Sequence, residues 1–280
     1  MKKLQFIILS QFSIFFFAQE NDVKWQEKQY PDSLEAVNKA PENHLILFEN
    51  ENFRLLKIFV AAQKSEPIHS HRWPAVMWVY QPSDYEQVFY SENEKAERIP
   101  VQTVSMKKNE LPVNVGFPVG KGDLGLSKNL GNQDLIAYRL DFKKEFNSAK
   151  KSEKPKGWNW NEDLDGVKIA PASHQIVYED EFTRILHVVL TKGEEESVHT
   201  HQYPCSFWVV KSQPIEYSEF KMNKKGKLIK SKTHQLPPLP TDQLLDQHKI
   251  SDPEPPHSVK NIGTDNFEAY RIEFKKEFKN

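Results

Sequence analysis

An internal duplication restricts the fold of this 280-residue chain more than any other feature of its sequence. Residues 44–79 align with residues 174–209 without a gap, and 12 of the 36 positions are identical. Near the end of each repeat, residues 137–146 match residues 269–278 at eight of ten positions. Two similar domains in tandem follow from this repetition.

The repeats and the segments around them define the expected domain organisation. We predict an N-terminal domain over residues 32–149, a polar linker over residues 150–161 and a C-terminal domain over residues 162–280. Each domain then has the usual size of a single hydrophobic core. Residues 19–31 precede the first domain and are expected to form an arm that lies over it.

Residues 1–18 have the pattern of a secretory signal peptide. Two lysines precede an apolar stretch that ends at a small residue. The stretch is shorter than the roughly 20 apolar residues of a membrane-spanning helix, and Ser10, Gln11 and Ser13 interrupt it. We therefore expect export to a periplasm or the extracellular space, cleavage near Gln19, and no stable membrane insertion afterwards.

Charge and cysteine content exclude several classes of protein. The chain carries 38 Lys and Arg residues against 39 Asp and Glu residues, so its formal net charge is −1. This balance lacks the basic excess that binds a phosphate backbone, and we expect no nucleic-acid partner. Cys205 is the single cysteine, which excludes an intramolecular disulfide framework and a cysteine-based zinc finger.

Apolar residues within each repeat recur with a period of two. Leu56, Ile58 and Val60 alternate along one short run that is rich in β-branched residues, a pattern typical of strands. Eighteen prolines separate such runs, and no long stretch has a helical period. The predicted fold class is all-β, with two antiparallel domains.

Three histidines in the C-terminal unit form a candidate site. His199 and His201 are two residues apart, so on a strand both side chains point to the same face and can converge inside a barrel. Gly193 precedes this pair with five residues between. His257 follows 56 residues after the pair, and Asn261 stands four residues further on.

At these residues the chain resembles the cupin superfamily, and its duplication resembles a bicupin. The resemblance implies two tandem jelly-roll (double-stranded β-helix) domains and a metal bound by His199, His201 and His257. The chain departs from the family pattern at two places. Cys205 stands where cupins carry a glutamate ligand, and Glu254 replaces a glycine of the second motif.

The resemblance implies one divalent transition metal as cofactor. Neutral imidazoles suit Zn, Cu, Fe and Ni, and the missing carboxylate weakens a preference for Mn or Fe(II), so the identity of the metal stays open. Cys205 has the strand parity of the histidines and is an additional candidate ligand. As a thiolate it would favour Zn or Cu, whereas as a neutral thiol it would only pack in the core.

The N-terminal unit departs further from the pattern. His69 and His71 keep the histidine pair, but Gly125 stands at the place of the third ligand. Two imidazoles alone make a poor closed metal site. We therefore predict a mainly structural unit, with a weaker, solvent-completed site at His69 and His71 as the alternative. His44 and His174 recur in both units and are expected to be structural or exposed.

The resulting hypothesis is an exported bicupin whose C-terminal barrel binds a metal and acts on, or binds, a small polar molecule. Tyr203, Phe207 and Trp208 are the candidate pocket walls, and the reaction class (oxygenase, isomerase or lyase) stays open. The alternatives are a non-catalytic module for a sugar or organic acid, with a structural or absent metal, and a homo-oligomeric interaction protein. Arg139 and Arg271 either line an anion pocket or lie between the two units, and the alternating pattern around them favours the interface.

Overall fold

The computed structural model describes residues 30–242 and 250–279. The predicted signal peptide and most of the predicted arm lie outside the described residues. The described part is built from antiparallel strands with a few single-turn helices, which confirms the predicted all-β class. Within it, no helix is long and apolar enough to cross a membrane.

The N-terminal barrel begins with two short helical turns and continues as strands, with a third turn before β7. The turns span Asp32–Leu34, Ala36–Lys39 and Lys108–Glu110. The strands are β1 (His44–Glu49), β2 (Phe53–Val60), β3 (His69–Ser70), β4 (Ala75–Gln81), β5 (Tyr85–Glu92), β6 (Arg98–Met106), β7 (Phe117–Val119), β8 (Leu124–Asn129), β9 (Leu135–Phe142) and β10 (Phe146–Lys151).

The C-terminal barrel repeats this order of elements. Its helical turns span Glu162–Leu164 and Gly166–Ile169. Its strands are β11 (His174–Glu179), β12 (Thr183–Leu190), β13 (His199–His201), β14 (Cys205–Lys211), β15 (Ile215–Met222), β16 (Leu228–Leu236), β17 (Glu254–Asn261), β18 (Phe267–Phe274) and β19 (Lys276–Phe278).

Two antiparallel sheets form each barrel, and the duplication extends to their strand order. The N-terminal sheets have the orders β1-β2-β9-β4-β7 and β3-β8-β5-β6, and the C-terminal sheets have the orders β11-β12-β18-β14 and β13-β17-β15-β16. Strand β10 pairs with β19, so the ends of the two repeats share a small sheet of their own. Two jelly rolls in tandem describe this topology.

An aromatic cluster joins the outer faces of the two barrels. Trp78 and Tyr138 of the N-terminal barrel are fully buried against Trp208 and Tyr270 of the C-terminal barrel. The ring centroids of Trp78 and Trp208 are 6.2 Å apart, and those of Tyr138 and Tyr270 are 5.3 Å apart. The prediction that Trp208 is a wall of the barrel pocket is therefore wrong. Neighbouring side chains on a strand point to opposite faces, and on β14 Trp208 faces the other barrel.

The interior of the C-terminal barrel is polar at one end and apolar at the other. Along β12, Arg184 pairs with Glu273 of β18, whereas Val188 pairs with Ala269 of the same strand. Phe207 packs with the apolar cluster around Val188 and Ala269, and so contributes to the core of the apolar end. His201, Arg271 and Glu273 lie at the polar end, where Glu273 accepts hydrogen bonds from both of the other side chains.

Candidate metal centres

Strand pairing brings the two histidine motifs of the C-terminal barrel together. His199 on β13 lies directly opposite His257 on β17. The ring centroids of His199 and His257 are 4.4 Å apart, those of His199 and His201 are 5.0 Å apart, and those of His201 and His257 are 5.5 Å apart. All three side chains are buried. The histidines of two distant segments therefore share one region of the interior.

A fourth imidazole, from His174 on β11, joins this cluster. Its ring centroid lies 4.5 Å from that of His199 and 5.1 Å from that of His201. His174 is 3% exposed and lies beside the candidate site. The expectation of a structural or exposed residue did not place it there. The one signal that could have indicated it is its recurrence as His44 in the first repeat.

The ligand atoms of these residues converge in overlapping groups of three. Among the described residues of the C-terminal barrel, ligand atoms lie within 4.8 Å of one another in the groups His174–His199–His201, Glu196–His199–His257 and His201–Glu254–His257. Each pair drawn from His199, His201 and His257 meets in one of these groups, but the three together do not form one. His174 completes the set of three imidazoles, and the assignment of the predicted three as ligands stays a prediction.

The predicted histidines are oriented by hydrogen bonds from their Nδ1 atoms. The acceptors for His199, His201 and His257 are the Ser197 carbonyl at 2.9 Å, Glu273 Oε1 at 2.9 Å and the Pro255 carbonyl at 2.9 Å. Because a carbonyl or carboxylate oxygen only accepts, each Nδ1 carries the proton and each neutral Nε2 keeps a lone pair. Metal-binding histidines in proteins are held in this way.

His199 Nε2 is buried and has no hydrogen-bond partner. Burial lowers the pKa of His199 and of His201 well below the usual value, and lowers that of His174 to about 3. Desolvation disfavours the imidazolium, and nearby cationic groups add to the effect. These rings are therefore neutral at neutral pH, which is the form that binds a metal, and the residues fit one.

Glu254 supplies a carboxylate that sequence reasoning did not place in the site. Its Oε2 lies 3.8 Å from His257 Nε2 and 2.6 Å from Arg271 Nη1, and its side chain is 35% exposed. Burial raises the pKa of Glu254, but the Arg271 guanidinium outweighs that effect and the pKa is lowered. The carboxylate is thus anionic at the edge of the histidine cluster.

Arg271 lies inside the C-terminal barrel, beside this carboxylate. Its Nε donates to Glu273 Oε1 at 3.1 Å and its Nη1 donates to Glu254, while its Nη2 is buried without a partner. The prediction that Arg139 and Arg271 lie between the two units is wrong. The neighbouring Tyr138 and Tyr270 lie in the aromatic cluster between the barrels. Because side chains alternate along β9 and β18, both arginines point into the barrels.

Cys205 is buried on β14, in the sheet opposite to β13, and its pairing partner is Glu273. Burial raises the pKa of the Cys205 thiol to about 12, so the thiol is neutral at neutral pH. The groups of converging ligand atoms in the described part of the chain do not include it. The burial, the neutral thiol and the absence from these groups are consistent with the packing alternative for Cys205.

The ring centroid of Tyr203 lies 5.4 Å from the Arg184 guanidinium.

The N-terminal barrel also contains three imidazoles rather than two. His44 on β1 joins His69 and His71, and the ligand nitrogens of the three lie within 4.8 Å of one another. Gly125 lies opposite His69 in the register of β3 and β8, where His257 lies opposite His199 in the other barrel. The expectation of a unit with only two convergent imidazoles is therefore corrected.

Comparison with protein-family models and with curated proteins gives no match. Among solved structures, the chain is similar to a cupin 2 conserved barrel domain protein from Leptotrichia buccalis, at 13% identity and a TM-score of 0.33, covering 83% of this chain and 88% of that one. It is similar to vicilin from Capsicum annuum, at 10% identity and a TM-score of 0.43, covering 81% and 78%. It is also similar to a Lactobacillus farciminis oxalate decarboxylase formate complex, at 8% identity and a TM-score of 0.39, covering 81% and 77%.

The description of two tandem jelly rolls rests on the strand pairings themselves, which repeat from one barrel to the other.

Proposed function

We propose that the C-terminal barrel binds one divalent transition metal through its buried histidines and uses this centre to hold a small anionic molecule. The observation that carries the proposal is His199 Nε2, a buried nitrogen without a hydrogen-bond partner inside a cluster of four imidazoles. A buried acceptor that finds no donor costs free energy, and a bound ion would remove that penalty.

The chain's own residues prepare the site for a cation. Hydrogen bonds at Nδ1 hold the rings of His199, His201 and His257 in fixed orientations and leave Nε2 as the ligand atom. Imidazole ligands suit Zn, Cu, Fe and Ni, and Glu254 adds an oxygen donor of the kind that Mn also accepts. When bound, such a metal supplies Lewis-acid polarisation of a coordinated oxygen.

Arg271 supports an anionic ligand. Two of its nitrogens are engaged by Glu273 and Glu254, but Nη2 is a buried donor without an acceptor. A carboxylate or a similar oxygen would satisfy this donor through a charge-assisted hydrogen bond. In the N-terminal barrel the corresponding Arg139 Nη2 already donates to the Trp73 carbonyl at 2.9 Å. The anion subsite therefore belongs to the C-terminal barrel, whether the protein catalyses a reaction or only binds.

Metal analysis of untagged protein tests the metal centre. We expect His199→Gln and His257→Gln each to lose one equivalent of metal per chain, because each removes a buried imidazole of the cluster. His234→Gln is the matched control, since His234 lies on the exposed strand β16 of the same barrel. Metal content that is unchanged in His257→Gln would remove the C-terminal barrel as the site.

Export is part of the proposal and is supported by the pattern of residues 1–18 alone. The intact mass of protein recovered from outside the cytoplasm tests it. We expect a chain that begins near Gln19, and an uncleaved chain would contradict this expectation.

A further inference from the structure

We propose that the N-terminal barrel holds a second, separate metal site formed by His44, His69 and His71. This site does not depend on the proposed function of the C-terminal barrel, because the two clusters share no residue. The sequence pattern assigned the pair His69 and His71 at most a weak role and gave His44 none. The geometry around the three rings supports a ligand set of its own.

The three imidazoles reach one point from two strands. His44 lies on β1, and His69 and His71 lie on and just after β3. The ring centroid of His44 is 4.5 Å from that of His69 and 5.2 Å from that of His71, and the latter two are 5.0 Å apart. His44 and His69 are buried, whereas His71 is partly exposed. The cluster is therefore enclosed on one side and open to water on the other.

One distance in the cluster matches the geometry of a tetrahedral ion. His69 Nε2 and His71 Nε2 are 3.3 Å apart. Two nitrogens that each lie about 2.0–2.1 Å from one tetrahedral cation are about 3.3 Å from each other. The two rings are thus already spaced as ligands of a single ion.

Hydrogen bonds set the protonation of two of the rings. His69 Nδ1 lies 3.0 Å from the Pro67 carbonyl, and His44 Nδ1 lies 3.3 Å from the Ala40 carbonyl. Because carbonyls only accept, both Nδ1 atoms carry the proton and both neutral Nε2 atoms keep a lone pair. The same orientation is found in histidines that bind metals.

The Glu66 side chain lies beside the His44 ring. Its Oε1 accepts from the Ser127 backbone N–H at 2.7 Å, while its Oε2 is buried, has no hydrogen-bond partner and lies 3.9 Å from His44 Nδ1. A cation bound to the three imidazoles would lie close to this unpartnered oxygen and would be attracted to it.

The fourth position of this site is expected to take water. A Cβ atom at Gly125 would lie 2.9 Å from Gln87 Nε2 and 3.0 Å from the Val88 carbonyl oxygen. Position 125 therefore has no room for a side chain that could act as the fourth ligand. In the C-terminal barrel the corresponding place holds His257, on which Tyr217 stacks at 5.2 Å. Three imidazoles and a water are a donor set suited to Zn²⁺.

The competing explanation is a direct hydrogen bond between His69 Nε2 and His71 Nε2. It requires a proton on His71 Nε2, which leaves His71 Nδ1 as a buried lone pair without a donor. In that state the cluster needs no ion. Zinc stoichiometry separates the two states.

Equilibrium dialysis of the metal-free full chain against Zn²⁺ tests the proposal. We expect two bound Zn²⁺ per chain in the wild type and one in His44→Gln, with the loss assigned to the N-terminal barrel. In a His199→Gln/His257→Gln background, which disables the other centre, we expect one Zn²⁺ per chain and none once His44→Gln or His71→Gln is added. His234→Gln is the control and should keep both.

Each outcome decides the matter. If the His199→Gln/His257→Gln chain binds no Zn²⁺, or if His44→Gln and His71→Gln both leave its zinc content unchanged, the second site is overturned. Should His44→Gln unfold, as judged by circular dichroism of the metal-free protein, His71→Gln at the partly exposed ring carries the test. If His199→Gln/His257→Gln binds as much Zn²⁺ as the wild type, the proposed centre of the C-terminal barrel fails instead.

Discussion

Glu273 and Asp141 occupy the same place in the two barrels, and the methylene group by which they differ changes what each carboxylate reaches. Glu273 Oε1 accepts from His201 Nδ1 at 2.9 Å. Asp141 is engaged by Arg54 and Arg139, and the corresponding His71 Nδ1 is buried without a partner. The C-terminal barrel therefore orients its histidine through a carboxylate, whereas the N-terminal barrel does not.

Shortening this carboxylate should weaken the C-terminal centre. In Glu273→Asp, His201 loses the acceptor that orients its ring, and we expect the metal affinity of that barrel to fall about 10- to 100-fold. Metal titration of the metal-free protein measures the change. The reciprocal Asp141→Glu is the control and should leave the affinity of the C-terminal barrel unaltered. An unchanged affinity in a folded Glu273→Asp protein would contradict a positioning role for Glu273.

At the scale of elements, two matching hairpins show how the repeats have diverged. Residues 221–227 form a hairpin, across which β15 and β16 pair. In its turn the Asn223 side chain accepts from the Lys225 and Lys227 backbone N–H groups, and Gly226 has a φ of +73°. The hairpin of β5 and β6 has the same turn, but Ala96 stands at the left-handed position with a φ of +59°.

Exchanging these two residues should change stability in opposite directions. The left-handed conformation costs an L-residue about 1 kcal/mol relative to glycine, so Ala96→Gly should raise the free energy of unfolding by about that amount and Gly226→Ala should lower it. A Cβ at Gly226 meets no atom within 4 Å, so backbone strain alone is tested. Urea denaturation measures both variants, and a shift of the same sign in both would contradict this reading of the turns.

At the scale of the whole molecule, a polar network borders the aromatic interface between the barrels. Glu268 accepts from Tyr80 Oη of the other barrel at 3.1 Å, and its carboxylate lies 2.7 Å from His187 Nε2 and 2.9 Å from Lys211 Nζ. Burial raises the pKa of Glu268, but the donors at His187 and Lys211 outweigh it and lower the pKa to about 2. The anionic form is thus held by groups from both barrels.

This network should make stability depend on pH in the acidic range. The pKa of Glu268 in the folded protein lies below the value of about 4.3 in an unfolded chain, so its contribution is present above that value and is lost as pH falls towards 2. We expect Glu268→Gln to be destabilised relative to wild type at pH 6, with a smaller difference at pH 3. Urea denaturation at both values measures this, with the exposed Glu195→Gln as control. An equal difference at both pH values would contradict the assignment.

Local patterns were sufficient to predict the all-β class, the duplication and the convergence of His199 with His201. A period of two and a repeat distance are properties of neighbouring residues, and they do not require knowledge of which strands pair. His174 and His44 were not predicted because they approach the other ligands only through the pairing of strands from distant segments. No spacing rule joins them to a histidine pair. Glu254 lies three residues before His257 on β17, where regular alternation would turn the two side chains to opposite faces, and a register shift between His199 and His201 places it opposite His201.

The sequence also did not reveal which side chains of β18 point into the barrel. All eight residues of β18 are buried, because one face of its sheet lines the barrel and the other face packs on the second barrel. Hydrophobic alternation distinguishes core from solvent, but here neither face meets solvent. The sequence pattern therefore could not tell whether Arg271 or Tyr270 points inward.

The amino-acid sequence by itself determined two β domains of one ancestry and a histidine pair on a shared strand face, since both follow from short-range periodicity. The tertiary structure alone decided which further imidazoles and carboxylates meet that pair, and that Trp208 belongs to the contact between the barrels. Those outcomes depend on long-range strand register and on the packing of one barrel against the other.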